Sequence, residues 1–301
     1  MTPVEYAIGC DIGVTNVKAV RVAADGTVLS RHTTETNASS PDWPDGVRRF
    51  LGQIEADHGP ARSLGIAAPG LAAPDGSRIF WMQGRLGEVQ GLEWTQFLGR
   101  SQSQPVPVVN DAQAALLGEV WQGAATGSRN VMLLTLGTGV GGALMVDGRL
   151  LRGHLGRAGH LGHVSLDLDA PGDIVNTPGS LEDAIGNCTV ARRTGGRFHS
   201  THDLIAAHLA GDAEASKVWL RSVHALAAAV ASLINVADPE VVIIGGGIAR
   251  AGPALFDPLN ERLDCFEWRP HGRRARIVPA ALGEYAGAIG AAWNGMQPAN
   301  A

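Results

Sequence analysis

The sequence predicts an α/β protein made of two domains of one plan. Three observations carry that prediction. Apolar, strand-like runs alternate with helical stretches along the chain, the pattern of layered α/β folds. The opening run "AIGCDIGVTNVKAVRVAADGTVL" is echoed in mid-chain by "LLTLGTGVGGALMVDGRLL": in each, a strand enters a Gly/Thr turn, and a second strand, Asp-Gly and a third strand follow. A supersecondary unit that repeats in this way marks a repeated architecture. The length of 301 residues suits two domains at roughly 100–200 residues each.

The elements follow in order. "YAIGCDIG" reads as a buried strand that ends at Asp11, and "VKAVRV" as its neighbour. Asp25-Gly26 is a hairpin signal, and "TVLSRHT" completes a three-strand meander. "DGVRRFLGQIEAD" is helical; "ARSLGIAAPG" is a strand closed by a Pro-Gly turn. "VPVVND" is a short apolar strand whose carboxyl end carries Asn110 and Asp111, and "AQAALLGEVWQGAA" is the helix after it. The second meander, "NVMLLTLGTGVGGALMVDGRLLRG", has its own Asp-Gly at 147–148. The rest is helix "DAEASKVWLRSVHALAAAVASLINVAD", strand "EVVIIGGGIA", a helix, strand "RIVPA" and a last helix "EYAGAIGAAWNG".

Composition narrows the class. Hydrophobic residues at 45% and charged residues at 18% are ordinary for a globular protein with a sizeable core. A net charge of −5 argues against a general nucleic-acid binder. The basic cluster "RPHGRRAR" at 269–276 is read as a solvated turn. Cys10, Cys188 and Cys265 are odd in number and widely spaced, so neither a disulfide framework nor a cysteine-rich zinc site is expected, and a reducing cytoplasm suits them. The start lacks the pattern of a signal peptide. The longest apolar stretch, "HALAAAVASLINVA", is too short for the ~18 residues of a membrane span.

Three glycine-rich turns each follow an apolar strand. "DIGVTN" contains Asp11, Gly13, Thr15 and Asn16; "LGTGVGG" contains Gly137, Thr138, Gly139, Gly141 and Gly142; "IIGGGIA" contains Gly245, Gly246 and Gly247. Glycine lets backbone N–H groups approach a phosphate unobstructed, and successive N–H groups form an anion-binding concavity. One such turn is more often a tight hairpin; three at strand ends favour a nucleotide. No GxxxxGKS/T is present, and "GTGVGG" leads into a strand rather than a helix, so neither a P-loop nor a dinucleotide fold is indicated.

In order along nearly the whole chain, "DIGVTNVKAVRV", "GIAAPG", "VVNDAQAALLGE", "LGTGVGGALMVDGRLLRG", "GRAGHLGH", "GSLED" and "VVIIGGGI" resemble the ROK family of sugar kinases, within the actin-like, hexokinase-like ATPase superfamily. The resemblance implies two ribonuclease-H-like α/β domains with a cleft between them: residues 1–111, completed by the C-terminal helix at 284–301, and residues 112–283. It implies phosphoryl transfer from ATP with Mg²⁺. The turns bearing Asp11, Gly13, Thr15, Asn16 and Gly137, Thr138, Gly139 would embrace the phosphates. Gly245, Gly246 and Gly247 would sit by the adenosine, and Asp11 would hold Mg²⁺ through water. Lys18 reads either as a phosphate contact or as a strand-edge lysine.

Asp111, where a strand gives way to a helix, suits an N-cap. The resemblance implies another role: Asn110 and Asp111 bind the sugar, and Asp111 acts on the accepting hydroxyl. Phosphoryl transfer needs an in-line hydroxyl, neutralised phosphate charge and an acceptor for the hydroxyl proton. A positioned carboxylate supplies the last, worth ~10²–10⁴ in rate.

Downstream the family carries G-E-(I/L)-G-H and then a zinc knuckle whose His and three Cys bind the metal. Here "GHLGH" puts His160 in place of the glutamate and keeps His163. "DIVNTPGSLE" puts Asp173, Val175 and Ser180 where the thiolates belong, and Glu182 survives. Structural zinc needs four N or S ligands, so none is expected; Pro171, Pro178 and packing would order the loop. His160, His163 and Glu182 would hold the sugar ring, and backbone at Gly65 and Gly70 would line the pocket. A neutral imidazole at 160 offers one donor and one acceptor, which alters recognition near C1 and C2; the bland alternative is a loop residue that touches nothing. His154 reads as structural or exposed. The family's Pro-Asn-Leu is not evident in "FWMQGRLGEVQGLEW", with Trp81 near where Asn is common.

The expected activity is an ATP-dependent, glucokinase-like transfer to the primary 6-hydroxyl of a hexose. An amino sugar such as kanosamine, or a cyclitol, is the alternative acceptor. A non-catalytic sugar-binding or regulatory protein is the alternative of another class, although Asp11 lies too near the start for a preceding helix-turn-helix. The expected partner is a small sugar-like substrate, with no nucleic acid and no membrane. The family implies a homodimer.

Overall fold

The computed structural model describes residues 5–83 and 86–297. Residues 1–4 and 298–301, which the sequence reading includes in its first domain, lie outside the described residues. The chain opens with β1 (Tyr6–Ile12), β2 (Asn16–Ala23), β3 (Val28–Glu35), α1 (Trp43–His58), β4 (Ser63–Ala68), β5 (Leu71–Ala72) and β6 (Ile79–Trp81). It continues with α2 (Trp94–Phe97), β7 (Val108–Asn110), α3 (Asp111–Gln122), β8 (Val131–Leu136), β9 (Val140–Val146) and β10 (Arg149–Leu150). After a long loop come α4 (Leu181–Ile185), α5 (Val190–Arg193), α6 (Thr201–Leu209), α7 (Ala213–Ala237), β11 (Val241–Gly245), α8 (Pro253–Phe266), β12 (Arg276–Pro279) and α9 (Ala286–Met296).

Two compact units result: Met1–Gly127 with Leu150–Ala158 and Ala281–Ala301, and Ser128–Arg149 with Gly159–Ala280. The first holds a five-stranded sheet in the order β3-β2-β1-β4-β7; the second holds one in the order β10-β9-β8-β11-β12. In the first, β1, β4 and β7 are parallel while β2 and β3 run antiparallel. In the second, β8, β11 and β12 are parallel and β9 is antiparallel to β8. The repeat in the sequence is therefore a repeat of topology. The second Asp-Gly turns the β9–β10 hairpin with both residues left-handed, Asp147 at φ 51° and Gly148 at φ 78°, the backbone of a type I′ turn.

Each sheet buries an apolar face. In the first unit α1 presents Trp43, Val47, Leu51 and Ile54, a helical stripe, to the core. On the other side α9 packs backbone to backbone. A Cβ at Gly290 would fall 1.8 Å from the Ala114 carbonyl oxygen, and one at Gly118 2.5 Å from that of Ala286. This intimate seam binds α3 to α9 and so keeps α3 in the first unit, beyond the sequence boundary at 111. The return of residues 150–158 to that unit had no sequence signal.

In the second unit α7 runs 25 residues and buries Trp219, Val223, Leu226, Ala227 and Val230. By length and composition it could cross a membrane, which the sequence reading did not anticipate, but half of its most apolar window (50%) is buried. Its inner face forms a core with β8, β11 and α8, and the Trp219 indole N–H donates to the Ala254 carbonyl at 2.9 Å. It is a core helix of this unit.

Candidate active site

In the first unit the carboxyl ends of the parallel strands bring the polar groups together, the usual ligand edge of such sheets. Asp11 pairs in register with Ala67, and Ala68 with Asn110. The turn after β1 is closed by the Gly13 N–H donating to the Asn16 carbonyl at 3.0 Å. It is braced by Thr36, whose hydroxyl donates to the Gly13 carbonyl at 2.6 Å and whose N–H donates to that of Thr15 at 3.0 Å. Thr36 is a supporting residue that the sequence did not reveal.

Asp11 is partly buried. Burial and, next, the charge of Asp111 push its pKa up to about 7, against the opposing pull of Lys18. Lys18 is itself paired, its Nζ lying 2.9 Å from Glu284. Helix α9 walls the carboxylate: a Cβ at Gly287 would lie 2.6 Å from Asp11 Oδ2. A buried carboxylate whose pKa a neighbouring carboxylate raises further is one that a divalent cation relieves. The residues present fit Mg²⁺ at Asp11.

The N-cap of α3 is Asn110. Its Oδ1 accepts from the Ala112 N–H at 3.0 Å and the Gln113 N–H at 3.4 Å, and Gln113 reciprocates to complete a capping box. Its Nδ2 donates to the Gly70 carbonyl at 3.0 Å. Asp111, the first helical residue, accepts from the Ala112 N–H at 2.8 Å and remains accessible. It is nevertheless crowded by protein: desolvation raises its pKa, outweighing the hydrogen bonds from Ala112 and Asn110. Gly70 thus joins Asn110 at the site. Gly65 does not: a Cβ there would lie 2.0 Å from the Ala291 carbonyl oxygen, so its bareness serves the packing of α9 on β4.

In the second unit the glycine turns close the adjacent parallel strands β8 and β11, with Thr135 opposite Gly245. The Gly137 N–H donates to the Gly139 carbonyl at 2.9 Å. Gly246, at φ 87°, sits against the end of β8, where a Cβ would meet the Leu136 carbonyl at 2.3 Å. Thr138, Gly246 and Gly247 are exposed, so both turns can receive a ligand. Glu182, near the start of α4, reaches the first turn: its Oε2 accepts from the Val140 N–H at 2.9 Å and occupies the space beside Gly139. Glu182, a sugar contact in the sequence reading, here braces the glycine turn.

His160 precedes, and His163 ends, a short 3₁₀ turn, Leu161–His163. Burial, then the neighbouring His163, lowers the pKa of His160, which leaves it neutral at pH 7. His163 Nδ1 lies 2.7 Å from Asp173 Oδ2. Ser180 caps α4, accepting from the Asp183 N–H at 3.2 Å, and Val175 is exposed. A carboxylate hydrogen-bonded to His163, a capping hydroxyl and an isopropyl group do not fit a tetrahedral zinc. Hydrogen bonds order the loop instead: the Leu166 N–H to the Gly179 carbonyl at 2.9 Å, the Gly179 N–H to that of Pro171 at 3.1 Å, and the Leu181 N–H to that of Val164 at 3.0 Å.

Two α/β units of one topology, with glycine turns at the strand ends of one and carboxylates at those of the other, define a sugar kinase on the actin-like ATPase fold. The chain belongs to the ROK family, whose sequence profile matches residues 7–296. It is 34% identical to a glucokinase of Thermotoga maritima over 305 residues, covering 95% of each chain. A ROK hexokinase from Thermus thermophilus superposes with a TM-score of 0.84 at 28% identity, covering 96% of this chain and 97% of that one. A ROK-family glucokinase from Streptomyces griseus, solved with glucose and AMPPNP, superposes at 0.80 with 25% identity, covering 97% of this chain and 100% of its own.

Proposed function

We propose that the protein is an ATP-dependent kinase that phosphorylates the primary 6-hydroxyl of a hexose, in the manner of a glucokinase. One observation carries the reading: Asn110 does the capping, which leaves Asp111 accessible at a strand end with a pKa raised above that of an ordinary carboxylate. A base whose pKa approaches the working pH accepts a hydroxyl proton more readily. The hydroxyl oxygen bonds to the γ-phosphorus as the bond from phosphorus to the β–γ bridging oxygen breaks, ADP leaves, and the hydroxyl proton passes to Asp111. Mg²⁺, when held through water at Asp11, neutralises phosphate charge.

Backbone N–H groups of the turns at Gly13–Asn16 and Gly137–Gly139 bind the phosphates, and Gly245, Gly246 and Gly247 border the adenosine. Asn110, His160, His163 and Glu182 orient the acceptor. The reading includes a cytoplasmic homodimer.

A second acceptor class has a specific observation behind it. The neutral His160 replaces an anionic hydrogen-bond acceptor with a group that both donates and accepts. This leaves room for an amino sugar such as kanosamine, or a cyclitol, as the acceptor. A coupled assay with Mg-ATP against glucose, mannose, kanosamine, N-acetylmannosamine and myo-inositol tests both readings. Asp111→Asn is expected to fold and to lose ~10²–10⁴ of turnover; an unchanged kcat excludes Asp111 as the base. Sugar binding without ATP turnover across the panel would identify a non-catalytic binder.

A further inference from the structure

Asp173 is the buried anion of the loop that carries the histidines. Its side chain is 1% exposed, whereas that of His163 keeps 25% of its surface open. Oδ1 accepts from the N–H groups of Val175 and Thr177, both at 2.9 Å. Oδ2 faces His163 Nδ1 at 2.7 Å, and the Ser180 hydroxyl adds a further hydrogen bond. Burial pushes the Asp173 carboxyl up, but the hydrogen bonds from His163, Thr177, Ser180 and Val175 outweigh it and the net shift is downward. Such an investment in one buried charge is costly unless its partners are fixed.

We propose that Asp173 is a positioning residue for the acceptor site, its buried carboxylate holding the His163 ring through Nδ1 so that Nε2 is presented as a hydrogen-bond acceptor to a substrate hydroxyl. An ionised carboxylate only accepts, so the proton between the two groups belongs to Nδ1. A neutral ring with its proton there has a bare Nε2, and the second group on the ring sets which tautomer is present. Asp173 also ties the tip of the loop to Ser180, which caps the helix bearing Glu182. One carboxylate thus fixes the orientation of His163 and anchors its loop to α4. The inference rests on the reading of His163 as a sugar contact.

The test uses the full-length enzyme. Two-bond ¹H–¹⁵N spectra of the imidazoles, with His163→Gln for assignment, are expected to show Nδ1 protonated and Nε2 bare in the wild type. Asp173→Ala should lose that tautomer preference. With the fastest acceptor of the panel, it should raise the acceptor KM roughly ten- to a hundred-fold and leave the KM for ATP within about twofold of its wild-type value. Asp173→Asn has one carbonyl oxygen, which the Val175 and Thr177 N–H groups claim, so its amide N–H faces Nδ1 and selects the opposite tautomer; it should raise the acceptor KM as alanine does, and it carries the test if the alanine variant does not fold. A bare Nδ1 in the wild type overturns the proposal. So does an unchanged acceptor KM in Asp173→Ala while His163→Ala weakens the acceptor. If neither variant changes the acceptor KM although the tautomer shifts, the failure lies in the sugar-contact reading beneath it.

Discussion

Asp11→Asn should stabilise the ligand-free protein at pH 8 and do little at pH 4. In the folded chain burial and Asp111 keep the Asp11 proton on up to about pH 7, whereas the ordinary value is 3.8. Between those limits the folded state binds the extra proton, so its stability falls as pH rises, and the loss is complete above about pH 7. About three pKa units at ~1.4 kcal/mol each set a ceiling of about 4 kcal/mol. Solvent reaching the partly exposed carboxylate reduces this to about 2 kcal/mol. For a unit of this size that is roughly 4–8 °C in melting temperature. Thermal melts of wild type and variant at pH 4 and pH 8, without nucleotide or magnesium, isolate the effect as a difference of differences. Mg-ATP should then raise the wild-type midpoint at pH 8 and shift the variant much less. A variant-minus-wild-type difference equal at the two pH values would show that Asp11 carries no electrostatic strain, and the case for a cation there would fall with it.

Other experiments probe the seam, the histidine loop and the expected lack of zinc. Gly290→Ala puts a methyl group where the Ala114 carbonyl oxygen is 1.8 Å away; it should cost at least about 1–3 kcal/mol, and a melting point within a degree of wild type would mean that α3 and α9 do not pack as described. His160→Glu should move acceptor preference toward plain hexoses, with kcat/KM for the wild-type acceptor down at least about tenfold; the same panel reads it, and an unchanged ranking would make His160 a bystander. Elemental analysis of the purified protein should find far less than one zinc per chain. Stoichiometric zinc would contradict the pairing of His163 with Asp173.

The repeat was the most legible feature of the sequence, because a strand, a glycine turn, a strand and Asp-Gly leave little freedom of topology. The glycine turns and Asp11 also stand where the motifs predict, at strand ends. Facing was harder to read. Asn110 and Asp111 are adjacent and either suits a cap; the deciding signal, Gln113 three residues after Asn110, was present in the sequence as a capping box. Gly65 and Gly70 lie close together, yet one faces α9 and the other meets Asn110; alternation along a strand leaves open what covers each face. The partner of His163 was foreshadowed only by Asp173 standing where a metal ligand belongs. The compact units keep α3 with the first unit, where the resemblance divides the chain at 111; helix propensity says nothing about which neighbour a small-residue face will meet.

The two units use the same strand ends for opposite electrostatic tasks. In the second, the parallel strands end in bare backbone at Gly137–Gly139 and Gly245–Gly247, with Glu182 spending one carboxylate oxygen on the Val140 N–H. Such turns offer N–H groups to an anion and put little negative charge against it. In the first, the equivalent ends carry Asp11 and Asp111, which repel one another and would repel a phosphate as well. That arrangement is sensible only if a cation intervenes at one carboxylate and a proton arrives at the other. On the proposed reading, a proton acceptor beside a phosphate calls for magnesium on electrostatic grounds, whatever sugar is bound. Turnover should then fall steeply without Mg²⁺ for every acceptor in the panel; an acceptor phosphorylated equally well in excess chelator would break the link between the two aspartates and the reaction.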